Sequence, residues 1–204
     1  MHAFGLADAP GPDRELLGGK GAGLVAMAGL GLPVPGAFIL PTSVGRAYLA
    51  AGELPGDLEA EVQRRIAELE AEAGRRFGDD TAPLLVSVRS GAPVSMPGMM
   101  DTVLNVGLTP EGARALAAET GDEHFALSCL ERLLHGWATT VRGMSAAVVE
   151  DALIDLPRGA GERERCDALL ELLGDFPDAH GQLREAIEAV FRSWNSPRAQ
   201  AYRR

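Results

Sequence analysis

Apolar residues recur at helical spacing over several parts of the chain. In residues 57–74, Leu58, Val62, Ile66 and Leu69 fall on one face while Glu and Arg fill the others, which is typical of an amphipathic helix. The same spacing predicts further helices over 122–146, over about 164–173, and up to about Trp194. Helices therefore make up much of the predicted structure.

Short apolar runs between these helices predict strands. We expect strands within 35–40, over Leu84–Val88 and over Val103–Val106, because each run is short and bounded by turn-forming residues. Residues 1–12 show no periodicity and predict an irregular lead-in. The pattern as a whole predicts an α+β fold with a helix-rich segment, which can form a helical sub-domain at about 110–180.

Two further helices are indicated by their ends. Thr42 or Ser43 can cap a helix that stops near Gly52, since hydroxyl side chains satisfy the free amides of a first turn. Thr109 followed by Pro110 resembles an N-cap with proline at the first helical position.

The stretch 85–102 stands out from this pattern. A Val-rich run leads into a loop of Ser, Gly, Pro and Met, with Arg89 at its start and Asp101 and Thr102 at its end. The loop is too apolar for an ordinary surface turn and too rich in Gly and Pro for a helix or strand. A strand that feeds such a loop is a common support for a functional group.

Composition and charge exclude several classes of protein. The chain has 204 residues, 46% of them hydrophobic, and a net charge of −10, which argues against a nucleic-acid binder because such a protein needs a basic face. No run reaches the length of about 18 apolar residues that a membrane span needs, and the first twenty residues contain no secretory signal pattern. Cys129 and Cys166 lack metal-ligand spacing, so we expect reduced cysteines in a cytoplasmic protein.

The segment Gly18–Gly23 carries the first candidate for chemistry. It predicts a glycine turn that opens a short helix, with Lys20 at the helix N-terminus, where backbone amides and the helix dipole favour phosphate. It is not a Walker A loop, because Gly21 stands where Ser or Thr is required. A flexible turn with a solvated lysine is an equally good interpretation.

Arg89 and the loop that follows carry the second candidate. An arginine at the end of a strand can bind phosphate oxygens in a bidentate manner, and Gly91 and Gly98 allow the backbone to approach a ligand closely. A surface salt bridge is the commoner role of a lone arginine. Asp101 can hold a metal or cap a turn, and the methionines of the loop are more typical of core packing than of ligand contact.

The histidines supply no catalytic constellation, because none lies near a Ser, Cys or acidic cluster with catalytic spacing. Residue chemistry therefore predicts a phosphate or nucleotide-phosphate site that is built from Lys20, Arg89 and the loop 95–102.

Three segments occur in an order that points to a family: Leu17–Leu24 with Gly31–Pro35, Ser87–Ala92 with Ser95–Thr102, and Ala189–Ala199 with Tyr202. Together they resemble the nucleotide-binding part of the pyruvate, phosphate dikinase family. The resemblance implies an ATP-grasp-type domain that binds ATP and passes a phosphoryl group to a histidine on a separate swivelling domain. It also implies the family reaction, which converts ATP, phosphate and pyruvate to AMP, pyrophosphate and phosphoenolpyruvate with Mg²⁺.

Carried over by motif position, Lys20 and Arg89 match the family's phosphate-binding cations, with Arg89 as the catalytic residue. The loop that closes over the ATP phosphates is matched by Gly98, Met99, Met100, Asp101 and Thr102. Pro93 departs from the family pattern, which often has a basic residue there.

Residues 1–204 are expected to be the N-terminal part of this domain, without the swivelling and barrel domains. The family's magnesium ligands and most of its adenine pocket lie beyond the position of Tyr202. We therefore expect the chain to be inactive alone. The alternatives are a naturally short, non-catalytic paralogue that binds a nucleotide or anion, and a structural relic that keeps the fold but has lost the site.

Overall fold

The computed structural model describes residues 3–91 and 102–194. In chain order the elements are β1 (Phe4–Gly5), α1 (Arg14–Gly29), β2 (Phe38–Ile39), α2 (Thr42–Ala51), α3 (Leu58–Ala73), β3 (Arg76–Phe77), β4 (Pro83–Leu84), β5 (Val86–Arg89), β6 (Thr102–Val106), α4 (Pro110–Thr120), α5 (Glu123–Gly136), a π-helix (Trp137–Val141), α6 (Ala146–Ile154), α7 (Glu162–Leu173) and α8 (Ala179–Ser193). In the described residues the strands form two-stranded sheets that pair β1 with β2, β3 with β4, and β5 with β6. This mixture of helices and small sheets is compatible with the predicted α+β class.

The described residues fall into two compact units. The first unit contains 3–74, 89–91 and 190–194, and the second contains 75–88 and 102–189. No helix among the described residues has the length and apolar character that crossing a membrane requires.

The core of the first unit forms where α1 meets the sheet of β1 and β2. Leu17, Ala22 and Val25 of α1 are buried together with Ile39 of β2, and Phe4 packs against them. The strands are antiparallel, with Phe4 opposite Ile39. Arg65 of α3 binds the residue before β1, because its buried guanidinium donates to the Ala3 carbonyl at 2.9 Å.

The second unit is built around α5, which packs against α4, α7 and β6. Its leucines Leu133 and Leu134 are fully buried, as is Trp137 of the π-helix. Gln182 of α8 is buried too, accepting from the Gly107 amide at 2.9 Å and donating to the Leu108 carbonyl at 3.3 Å. These bonds fix the turn after β6, because an unpaired polar group in a core is costly.

Several predicted elements are confirmed. Helix α3 lies within the predicted interval 57–74, with Asp57 and Gly74 at its cap positions. Helix α7 starts two residues before the predicted 164–173, and α8 ends one residue before Trp194. The Thr109 side chain caps α4 by accepting from the Gly112 amide, with Pro110 in the first turn.

The glycine turn predicted within Gly18–Gly23 is present as a kink at Gly18, but α1 starts earlier than predicted, and the predicted cap of α2 is wrong. Helix α1 begins at Arg14, because the Asp13 carboxylate accepts from the amides of Glu15 and Leu16, and the kink separates this first part from the helical segment that follows. Helix α2 has Pro41 at its N-cap position, without a side-chain cap. The Thr42 hydroxyl donates instead to the Glu15 carbonyl at 2.6 Å, which joins α2 to α1.

Other predictions fail where the sequence signal is short or uniform. The lead-in 1–12 contains β1, and the expected strand Leu84–Val88 is divided between β4 and β5. The helix expected over 122–146 changes into the π-helix at Trp137, and this π-helix ends at Val141. Helix α6 is not predicted by the sequence pattern. Its segment is almost uniformly apolar and shows no helical stripe.

Candidate functional site

The glycine turn of α1 is the first part of the candidate site. Gly18 has φ 71° and ψ 167°, so the helix is kinked there and resumes immediately afterwards. This backbone conformation is almost restricted to glycine. The residues that follow Gly18, among them Lys20, therefore begin a new helical segment, and the first amides of such a segment lack intrahelical partners.

The second part of the site is the end of β5, which contacts this turn. A Cβ atom placed on Gly18 would lie 1.4 Å from the Gly91 carbonyl oxygen, and one on Gly91 would lie 3.5 Å from Lys20 Cβ. The same Gly91 position is 3.6 Å from the amide nitrogen of Gly21. The backbone that continues from Arg89 therefore packs against the kink at Gly18. This contact brings together the lysine turn and the end of β5, the two predicted parts of the site.

Both predicted cations are available for an external anion. Lys20 and Arg89 are exposed, and the side chain of neither forms an ion pair or hydrogen bond with another described residue. All four arginines of α3 and α7 behave differently, since they pair with carboxylates. A lysine offers a compact charge and an arginine a planar fork, and both arrangements suit phosphate oxygens.

The remaining predicted site residues lie at or beyond the limits of what the structure describes. Thr102 is the partly buried first residue of β6. Gly98, Met99, Met100 and Asp101 lie outside the described residues. Over 3–91 and 102–194, no group of three or more His, Cys, Asp or Glu side chains is arranged to hold a metal.

The cysteines belong to the second unit and do not form a reactive site. Burial is the main cause that raises the pKa of the Cys166 thiol to about 12, and burial also raises the pKa of Cys129. Both thiols therefore stay protonated near neutral pH, which disfavours nucleophilic or metal-binding thiolates.

Sequence reasoning missed the residues that hold the two parts of the site in place. Gly18 was noted only as one glycine of a run, and Ser90 only as part of a motif. The structure buries Ser90, whose hydroxyl oxygen accepts from the Trp194 indole at 3.1 Å. No local pattern indicates this contact, because its partners are 104 positions apart.

We predict that Gly18→Ala disrupts the site and destabilises the protein. The backbone conformation alone should cost about 1–3 kcal/mol of unfolding free energy for a residue other than glycine, and the methyl group would also displace Gly91. Gly23→Ala in the same helix is the matched control. No atom lies within 4 Å of its Cβ position, so it should stabilise by roughly 0.5–1 kcal/mol. Urea unfolding measures both, and equal stabilities of the two variants would contradict the proposed contact.

Comparison with known proteins agrees with the resemblance. The family model for the pyruvate phosphate dikinase AMP/ATP-binding domain matches residues 46–204. Pyruvate, phosphate dikinase of Rhizobium meliloti is 41% identical, covering 100% of this chain and 25% of its own length. The enzyme of Giardia intestinalis is 42% identical (93% of this chain, 23% of its own length). Chloroplastic pyruvate, phosphate dikinase 1 of Zea mays is 41% identical (93% and 22%).

The chain thus spans only about a quarter of the length of these relatives. Arg89 and Trp194 fall inside the region that the family model matches, and Lys20 falls before it, within the segment aligned to the Rhizobium meliloti enzyme. The chain belongs to the pyruvate phosphate dikinase family and contains its AMP/ATP-binding domain over the matched residues.

Proposed function

We propose that this chain binds the phosphates of ATP in a pyruvate, phosphate dikinase-type phosphotransferase, with Lys20 and Arg89 as the phosphate-binding cations. The observation that carries the proposal is the contact between Gly18 and Gly91, which brings the lysine turn against the segment that begins at Arg89. Two exposed cations without ion-pair partners among the described residues would then serve one anion.

The chemistry of phosphoryl transfer suits this arrangement. The reaction needs a protein to neutralise and position phosphate oxygens more than to form bonds with them. Lys20, at the start of a helical segment, combines its charge with backbone amides that favour anions. Arg89 can hold two oxygens of one phosphate at once, and as the catalytic residue it would stabilise the charge that develops on the transferred group.

The rest of the proposal follows from the family. The domain would have an ATP-grasp-type fold, and residues 98–102 would cover the ATP phosphates. A swivelling domain outside this chain would carry the phosphorylated histidine. Magnesium would offset phosphate charge when bound, and by the family pattern its ligands would lie beyond the position of Tyr202.

Calorimetry of ATP binding tests the cations directly. We expect Arg89→Ala and Lys20→Ala each to weaken ATP binding by about tenfold to a hundredfold, since a hydrogen bond to a charged group contributes about 1.5–3 kcal/mol. Arg158→Ala is the control, because Arg158 is an exposed arginine of the second unit. This variant should bind ATP as tightly as the parent does. Identical affinities for the parent and Arg89→Ala would contradict the proposed role.

A second experiment tests the proposal that the chain is catalytically incomplete. Incubation of the purified 204-residue chain with ATP, phosphate, pyruvate and magnesium should release no AMP above a blank, because the acceptor histidine would lie on another domain. Pyruvate-dependent AMP release, measured by chromatography, would show that the chain is a complete enzyme.

A further inference from the structure

The hydrogen bond between Trp194 and Ser90 lies next to both parts of the proposed site. The indole Nε1 of Trp194 donates to the Ser90 hydroxyl oxygen at 3.1 Å. Ser90 is only 5% exposed, and it stands between Arg89 and Gly91. A displacement of Ser90 would therefore move the proposed catalytic arginine and the glycine that contacts Gly18.

The end of α8 that carries Trp194 is itself anchored in the first unit. The ring of Phe191 lies 5.6 Å from that of the buried Tyr48 in α2. A Cβ atom on Gly45 of α2 would lie 3.3 Å from the Phe191 ring, so helix and ring are closely packed. The Trp194 amide also donates to the Phe191 carbonyl at 3.1 Å. This bond ties the backbone of Trp194 to the packed end of α8.

These contacts form a closed path within the first unit. Helix α1 is bonded to α2 through the Thr42 hydroxyl and the Glu15 carbonyl, and α2 packs against the end of α8. Trp194 donates a hydrogen bond to Ser90, and the next residue, Gly91, contacts α1 at Gly18. Within this set of contacts, the Trp194 indole is hydrogen-bonded to the segment from Arg89 to Gly91.

We infer that Trp194 is a positioning residue for the ATP-phosphate site, acting through Ser90 on Arg89 and on the contact between Gly91 and the lysine turn. The inference rests on the proposed function. Trp194 need not touch ATP for this role, because it restricts the freedom of the segment that carries Arg89, and a pre-organised group loses less entropy on binding.

The experiment uses variants of the 204-residue chain that remove either partner of the hydrogen bond between Trp194 and Ser90. Trp194→Phe keeps an aromatic ring but removes the donor, and Ser90→Ala removes the acceptor. Trp137→Phe is the matched control, since Trp137 is the other of two tryptophans and its buried Nε1 has no hydrogen-bond partner in the described structure. Calorimetry with ATP measures the affinity of each variant and of Trp194→Phe/Ser90→Ala.

We expect Trp194→Phe and Ser90→Ala each to weaken ATP binding by about three- to tenfold, the size expected for one lost hydrogen bond. The double variant should be no weaker than the weaker single variant, because both changes remove the same contact. Trp137→Phe should bind ATP within about twofold of the parent. Ser90→Ala decides the question if Trp194→Phe fails to fold.

Tryptophan fluorescence supplies a readout that a purely structural role would not move. In Trp137→Phe the only indole is Trp194, so saturating ATP should change its emission, whereas Trp194→Phe should show no change. Parent-like affinities of both Ser90→Ala and Trp194→Phe would overturn the inference and leave the proposed function intact. Absence of ATP binding by the parent would overturn the proposed function itself.

Discussion

The candidate site depends on the missing side chain at Gly18. Its backbone lies in a region that other residues rarely adopt, and the Gly91 carbonyl oxygen occupies the space where a Cβ would be. This single close approach has two consequences. It breaks α1 so that a new helical segment starts just before Lys20, and it brings the end of β5 against that start. The helix break before Lys20 and the approach of the end of β5 both result from this contact. Two cations from segments that are distant in the sequence could therefore bind one phosphate.

The support for this arrangement comes from helices that carry none of the proposed phosphate contacts. Helix α2 links to α1 by the Thr42 hydroxyl, and the end of α8 packs on α2 and bonds to Ser90. Binding groups at a loop root are commonly held by such a rigid frame. Under the proposed function, a chain of net charge −10 would bind an anion through two local cations and the backbone around them rather than through overall charge.

Sequence reasoning succeeded where a signal is local. The stripe of α3 and the cap at Thr109 determine their helices through neighbouring residues, and both elements are found as expected. The sequence pattern does not predict β1, because the two residues of this strand are defined by pairing with β2. It does not predict α6 either, because only Val149 is buried along that mostly apolar segment. Residue types and motifs predict Lys20 and Arg89 as phosphate-binding residues, but the approach of their two segments depends on the Gly18–Gly91 contact. The Ser90–Trp194 bond joins positions 104 apart, and no local pattern encodes it.

Under the proposed function, the lysine turn and the segment from Arg89 form one phosphate site. Lys20 is the only lysine in the sequence, so an amine-reactive reagent followed by peptide mass spectrometry reports on this side chain separately from the chain terminus. We expect saturating ATP to slow the labelling of Lys20 in the parent, and the same ATP concentration to protect Lys20 much less in Arg89→Ala. A labelling rate of Lys20 that ATP leaves unchanged in the parent would contradict a phosphate site at the lysine turn.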